Sequence, residues 1–117
     1  MYKNQNLGKL GEDLAVRYLT AEGYQIIQRN FLCRQGEIDI IVSKDEELIF
    51  VEVKTRTSLK YGDPIEAVTE TKQKHIKKAI KYYLYKNSLN NSFIRIDVIE
   101  IYIYKNKYKV NHIKQVI

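Results

Sequence analysis

The chain is poor in the residues that make covalent or metal staples. Its 117 residues hold one cysteine, Cys33, and two histidines, His75 and His112. A single cysteine excludes an internal disulfide and fits a reducing compartment. The same shortage leaves a Cys/His zinc site without ligands. No stretch approaches the roughly 18 apolar residues of a membrane helix, so no membrane partner is expected. Met1 to Asn6 is polar and has no apolar signal region, so the expected location is the cytoplasm. Pro64 is the only proline, and there is no linker, internal repeat or low-complexity tract. Residues 1–117 therefore read as one domain.

Acidic residues are also in the minority. Fourteen Asp and Glu face twenty Lys and Arg, for a formal charge of +6. That balance points weakly to an acidic partner such as nucleic acid, and a merely solubilising surface would give the same number. With 44% apolar and 29% charged residues, the composition is globular rather than disordered.

Leu7, Leu10, Leu14 and Tyr18 recur at helical spacing, widened by Ala15 and Leu19, and Gly23 follows as a C-terminal cap. This predicts a first helix over Leu7 to Glu22. Tyr24 to Phe31, Glu37 to Ser43 and Leu48 to Lys54 read as three strands. Thr55 to Pro64 reads as a loop, with a short helical turn at Ile65 to Val68. Thr69 can cap a second helix, Glu70 to Lys86, whose apolar stripe is Ile76, Ala79, Ile80, Tyr83 and Leu84. Lys74, Lys77, Lys78 and Lys81 lie on its opposite face, as a phosphate-contacting stripe or simply a solvated surface. Phe93 to Tyr104 and Tyr108 to Ile113 read as a closing pair of strands around Lys105-Asn106-Lys107. The expected class is α/β, a mixed sheet flanked by helices in the order α-β-β-β-α-β-β.

The segment "GEIDIIVSKDEELIFVEVKTR", Gly36 to Arg56, is an apolar hairpin that carries charges inside its strands. A turn centred between Asp45 and Glu46 sets Asp39 opposite Glu52 and Glu37 opposite Lys54. Period-two alternation then puts all four on one face, with Ile38, Ile40, Val42, Ile49, Val51 and Val53 on the other. Cβ atoms of facing residues are about 5 Å apart. At an effective dielectric of 20, two carboxylates so placed repel by roughly 3 kcal/mol. A divalent cation turns the repulsion into binding, and Mg²⁺ or Mn²⁺ prefers such oxygen ligands. An ammonium at Lys54 could hold or help deprotonate a water, or steady a phosphate oxygen. The set suits phosphodiester hydrolysis. From spacing alone, an exposed hairpin face with a Glu37–Lys54 pair fits as well, and an odd-numbered turn would shift the register.

Asp39, a gap of 12 residues, then Glu52-Val53-Lys54 resembles the PD-(D/E)xK nuclease signature, with Ile38 in place of its proline. The blocks "GKLGEDLAVRYLTAEGYQIIQRNF", "GEIDII", "FVEVKTR", Lys72-Gln73 and "RIDVIEI" together resemble the YraN family. Its members are small bacterial proteins predicted to be endonucleases, similar to archaeal Holliday junction resolvases. The resemblance spans about Leu7 to Ile101 and implies a restriction-endonuclease-like fold. It implies Asp39 and Glu52 as ligands of Mg²⁺ or Mn²⁺, Val53 as a further ligand through its carbonyl, and Lys54 as catalytic lysine. Glu12 matches an additional acidic residue of the resolvases; at an early helical turn it also suits the helix dipole alone. Gln73, one turn before Ile76, could reach the site or simply serve the helix start. Arg56 and Lys60 are placed to touch an entering strand.

The expected substrate is DNA, branched or structured and bound without sequence preference. The alternative is a non-catalytic nucleic-acid-binding module with the same fold. A third reading is a partner-binding protein whose basic faces only solubilise it. Symmetric cutting of a junction would need two sites and hence a homodimer.

Overall fold

The structure, a computed structural model, describes residues 4–57, 70–89 and 93–116. Seven elements follow in the expected order: α1 (Asn4–Ala21), β1 (Gln25–Cys33), β2 (Gly36–Lys44), β3 (Glu47–Arg56), α2 (Glu70–Lys86), β4 (Ile94–Tyr104) and β5 (Lys107–Ile113). The strands form one sheet ordered β1-β2-β3-β4-β5. Its pairs are antiparallel except β3–β4, which run parallel with α2 in their connection. The fold is thus α/β, a mixed sheet flanked by helices. No helix among the described residues is long and apolar enough to cross a membrane. The turn expected at Ile65–Val68 lies outside the described residues, as does Lys60. The loop expected from Thr55 begins later, because Thr55 and Arg56 pair with Ile101 and Tyr102 and prolong β3.

Both faces of the sheet are covered. Leu14, Ala15 and Leu19 of α1 pack with Ile40, Val42, Ile49, Val51, Ile99 and Ile101. Ile76, Ala79, Ile80 and Tyr83 of α2 pack with Phe31, Ile38, Ile41, Phe50 and Ile96. Two covered faces explain why the central strands read as near-continuous apolar runs rather than clean alternations. Lys74, Lys77, Lys78 and Lys81 are exposed.

Ile38 corrects the alternation read from the sequence. It packs on the α2 side, whereas Ile40 and Val42 pack on the α1 side. The change falls at Asp39, between the β1–β2 pairs Arg29↔Ile40 and Phe31↔Ile38. Between those pairs on β1 lies Asn30, in the left-handed region at φ 51. A residue there breaks the two-residue period of its strand.

α1 ends as its sequence predicts. Gly23 takes φ 93, its N–H donates to the Thr20 carbonyl at 3.1 Å, and Tyr24 N–H donates to the Leu19 carbonyl at 2.9 Å. Gly11, buried inside the helix, has a different use. A Cβ there would run into the side chain of Thr55 on β3. The missing side chain is what lets α1 lie against β3 at Thr55.

Asp97, wholly buried on β4, ties the far end of the sheet together. Arg95 grips both its oxygens at 2.9 and 3.0 Å, His112 Nε2 lies at 2.7 Å, and Gln115 N–H donates at 2.9 Å. Burial alone pushes this carboxyl up, but these partners outweigh it and hold it below the ordinary aspartate value.

Alanine normally stabilises a helix interior by about 1 kcal/mol over glycine. Gly11→Ala is expected to do the reverse, costing about 1–3 kcal/mol by overpacking against Thr55. Adding Thr55→Ala should recover at least half of that loss. Urea unfolding of the wild type, the single and the double variant checks this; an undiminished midpoint for Gly11→Ala would show that α1 and β3 do not meet this closely.

Candidate active site

The β2–β3 ladder follows the expected register from Lys44↔Glu47 to Ile40↔Val51. The next pairs in that register, Asp39 with Glu52 and Glu37 with Lys54, are not part of the ladder. The physical reason lies in where the backbone donors go. Val53 N–H donates to Asp39 Oδ2 at 2.8 Å rather than to a strand partner. Asp39's own N–H lies near enough to the Glu52 carboxylate to favour its charged form. Each carboxylate thus engages the other strand's backbone, and the seam opens where the charges sit.

The opening is a cavity of about 380 Å³ lined by Glu37, Asp39, Glu52, Val53, Lys54, Lys72 and His75, with Gly36 and Ile76. β2 supplies Asp39, β3 supplies Glu52 and Lys54, and the first turns of α2 supply Lys72 and His75. Glu52 is 8% exposed, and its Oε2 is buried with no hydrogen-bond partner. Two other acids are buried among the described residues, and both are satisfied. Asp97 has the partners described above. Glu100 receives Arg56 Nε at 3.1 Å, the Tyr102 hydroxyl at 2.9 Å and Asn111 Nδ2 at 3.0 Å. A buried carboxylate oxygen left unpaired is costly, and Glu52 bears that cost beside a second carboxylate.

Burial is the main cause that raises both acids. Asp39 is pushed up by desolvation and by the charges of Glu12 and Glu37, against the Val53 N–H. Glu52 is pushed up by desolvation and by Asp39, against Lys72 and Lys54. Lys54 is shifted down, chiefly by its hydrogen bond with Lys72, then by burial. The cavity therefore sets two carboxyls that resist ionising together beside Lys54, whose ammonium is disfavoured by its neighbour Lys72 and by burial.

The other expected residues fall around this centre. Glu12 does not line the cavity. Asn30 Nδ2 holds its carboxylate at 3.1 and 3.3 Å and also reaches Glu37 at 3.3 Å, while Arg29 stands 3.7 Å away. From there Glu12 adds its charge to the field at Asp39. Val53 lines the cavity with its strand neighbours. Arg56 is engaged by the buried Glu100, and Gln73 is half-buried beside Lys72 without lining the cavity. Lys72 and His75 were not singled out as site residues from sequence. The available signal was spacing: Lys72 lies four residues before the buried Ile76, hence on the same helical face.

The donor set suits a hard divalent cation. Asp39, the unpaired Glu52 oxygen and the Val53 carbonyl are oxygen ligands of the kind Mg²⁺ and Mn²⁺ take alongside waters. Among the described residues, no group of three or more His, Cys, Asp or Glu is gathered as a metal cage. One or two carboxylates with waters is the ordinary Mg²⁺ arrangement.

A carboxyl raised on folding stabilises the folded state below its unfolded value and loses that contribution as pH rises toward the folded value. In metal-free buffer, Glu52→Gln is accordingly expected to raise the melting temperature by several degrees at pH 8. The gain should shrink toward zero as pH falls to the ordinary glutamate value of 4.5. Mn²⁺ should raise the wild-type melting temperature and not that of the variant. Differential scanning calorimetry across this pH range checks both. A Glu52→Gln chain that is less stable at pH 8 would mean that Glu52 is satisfied in its fold.

The uncharacterised protein family UPF0102 matches residues 11–101. A UPF0102 protein of Clostridium perfringens strain 13 is 50% identical over 113 residues, covering 95% of this chain and 93% of that protein. One from Caldicellulosiruptor saccharolyticus is 47% identical over 98 residues, covering 84% and 83%. Among solved structures, the crystal structure of SSO0001 matches 95% of this chain and 51% of its own, at 21% identity and a TM-score of 0.35. Pyrococcus furiosus SfsA, solved in complex with Ca²⁺, matches 96% and 64%, at 17% identity and a TM-score of 0.43. Overlaps this partial carry no argument about fold or activity; the sequence matches show the family, and the chain belongs to the UPF0102 family.

Proposed function

We propose that this chain is a metal-dependent endonuclease that hydrolyses phosphodiester bonds in DNA, with Mg²⁺ or Mn²⁺ as its cofactor. The observation that carries the reading is the buried, unpaired Oε2 of Glu52, a residue that lines the cavity together with Asp39, Lys54 and Lys72. A fold that only needed stability would satisfy that oxygen, as it satisfies Asp97 and Glu100. The YraN-type resemblance of the sequence agrees with it, and adds branched or structured DNA as the substrate class. Symmetric cleavage of a junction would further call for a dimer.

Asp39, Glu52 and the carbonyl of Val53 would hold the cation. When bound, it supplies Lewis-acid stabilisation of charge on the phosphate and offsets the carboxylate repulsion. The protein's own groups do the rest. Val53 N–H fixes Asp39 Oδ2, so the aspartate is oriented before any ligand arrives. Lys54 stands two residues from Glu52 on the same strand face, where an ammonium meets the charge that builds on the scissile phosphate. Lys72, next to Lys54, lowers that lysine's affinity for its proton and so readies it to pass one to or from a water or a leaving oxygen. Glu12, held by Asn30, adds negative field behind Asp39 and strengthens the attraction for a cation.

The test is a cleavage assay on four-way, flap, duplex and single-stranded DNA with Mg²⁺ and with Mn²⁺. Lys54→Ala should lose activity by about a hundredfold or more, the usual cost of about 3 kcal/mol for one preorganised group at developing charge. DNA affinity should stay within a few-fold, since one phosphate contact is about one unit of salt slope at most. Asp39→Asn should be inactive while binding DNA at least as well without metal. Lys72→Ala should lose at least about tenfold, given about 1.5–3 kcal/mol for a charged hydrogen bond. Parallel loss of binding and activity in Lys54→Ala would make Lys54 a contact residue. Wild-type inactivity on every substrate with both metals would leave the non-catalytic binding module as the better reading.

A further inference from the structure

The net charge of the chain is concentrated at its end. After Glu100 the last seventeen residues hold four lysines, Lys105, Lys107, Lys109 and Lys114, and no Asp or Glu. They supply +4 of the +6 formal charge. Three of the four lie on the β4–β5 hairpin, which turns tightly through Lys105 and Asn106. Both residues take positive φ, 45 and 62, as a two-residue type I′ turn requires. The tip is therefore a stiff projection rather than a tail. It carries two large exposed rings, Tyr104 at 52% and Tyr108 at 50%, and Lys105 Nζ sits 5.3 Å over the Tyr104 ring.

The side of the sheet decides what this projection can do. Ile99, Ile101 and Ile103 pack into the α1-side cluster, so Glu100, Tyr102 and Tyr104 point to the other face. Val53 likewise packs on the α1 side, so Glu52, Lys54 and Arg56 share the face of Tyr104. Lys54 pairs with Glu100 and Arg56 with Tyr102; Tyr102 pairs with Lys109 and Tyr104 with Lys107. Residues that pair share a face, so the candidate site and the hairpin form one continuous surface: Lys54, Arg56, Tyr104, Lys107, Lys109. Glu100 is the one acid in that row, and it is fully buried and bound by Arg56, Tyr102 and Asn111. Tyr104 lies four residues beyond Glu100, about 13 Å along the strand.

From this juxtaposition, and resting on the nuclease reading for what enters the site, we infer that the β4–β5 hairpin is a second binding surface that grips a single-stranded segment of the substrate as it leaves the cavity. Lys107 and Lys109 meet its phosphates, and the Tyr104 ring stacks on an unpaired base. Rings at the tip favour a single strand over duplex, since duplex bases are not available to stack on a surface ring. A lysine-rich surface whose one acid is buried and paired matches the phosphate backbone.

Binding is measured by fluorescence anisotropy with a labelled twelve-nucleotide oligo(dT) strand in EDTA, so that no catalysis is needed. Lys107→Ala/Lys109→Ala should weaken binding at least tenfold at low salt and lower the salt slope by about 1.4, two phosphates at about 0.7 each. Tyr104→Ala should weaken it about fivefold or more with the slope unchanged. All three side chains are exposed, and melting temperatures within a few degrees of wild type verify that the variants fold. Ultraviolet cross-linking of wild type to a bromouracil-substituted strand should map to Tyr104. Unchanged oligonucleotide affinity in both variants overturns the inference, even if the chain proves to be a nuclease. So does a pattern in which they lose binding only to phosphatidylserine vesicles, which would make the hairpin a lipid-facing surface. Weakened oligonucleotide binding with no cleavage by wild type retains the hairpin as a nucleic-acid surface and rejects only the nuclease reading.

Discussion

Two carboxylates side by side at the parting of β2 and β3, Glu52 buried and Asp39 half-buried, are the constraint around which the candidate site is arranged. They cannot both be charged in a dry strand pair at low cost. The strands answer by giving up ladder bonds: Val53 N–H goes to Asp39, and Asp39 N–H turns toward Glu52. That exchange opens the seam into a cavity. It also leaves one oxygen of Glu52 with no protein partner. The opening, the raised acids and the unpaired oxygen are thus one feature seen three ways.

The surrounding structure supports that feature from both faces. On one side Gly11 lets α1 approach Thr55, which keeps Glu12 near the carboxylates, where Asn30 binds it. On the other side α2 begins beside the opening and brings in Lys72 and His75. Negative groups come from α1, β2 and β3, and positive ones from β3 and α2. No single element carries the site, so its geometry depends on packing of both apolar clusters.

Asp97 and Glu100 provide the internal contrast. Each is as buried as Glu52 or more so, and each is surrounded by donors. Arg95, His112 and the Gln115 N–H serve Asp97, while Arg56, Tyr102 and Asn111 serve Glu100. These acids join β4 to β3, β5 and the residues after β5. The ion pair with Arg56 also offsets the one negative charge on the face that runs from Lys54 to the hairpin tip. Burial alone therefore does not distinguish Glu52 from these two acids; the count of donors does.

Local pattern was enough for much of this. Helical and two-residue periods depend on neighbours in sequence, so every element was legible, α2 to its end residues and the others within a few. The turn at Asp45-Glu46 set the hairpin register from residue 40 to residue 51 in the same way. Asp39, Glu52 and Lys54 could be singled out because charges in apolar strands violate that pattern. Four features depended on parts of the chain meeting across distance. The end of the ladder at Ile40↔Val51 depended on carboxylates outcompeting carbonyls for backbone N–H groups. The side taken by Ile38 depended on the left-handed turn of Asn30 in a neighbouring strand. The pairing of Arg56 with Glu100 depended on β3 and β4 lying parallel in one register. The arrival of Lys72, rather than Gln73, at the cavity depended on how α2 crosses the sheet. Sequence by itself determined which residues could be strand, helix or misplaced charge; only the folded chain decided which of those charges found partners and which were left facing the opening.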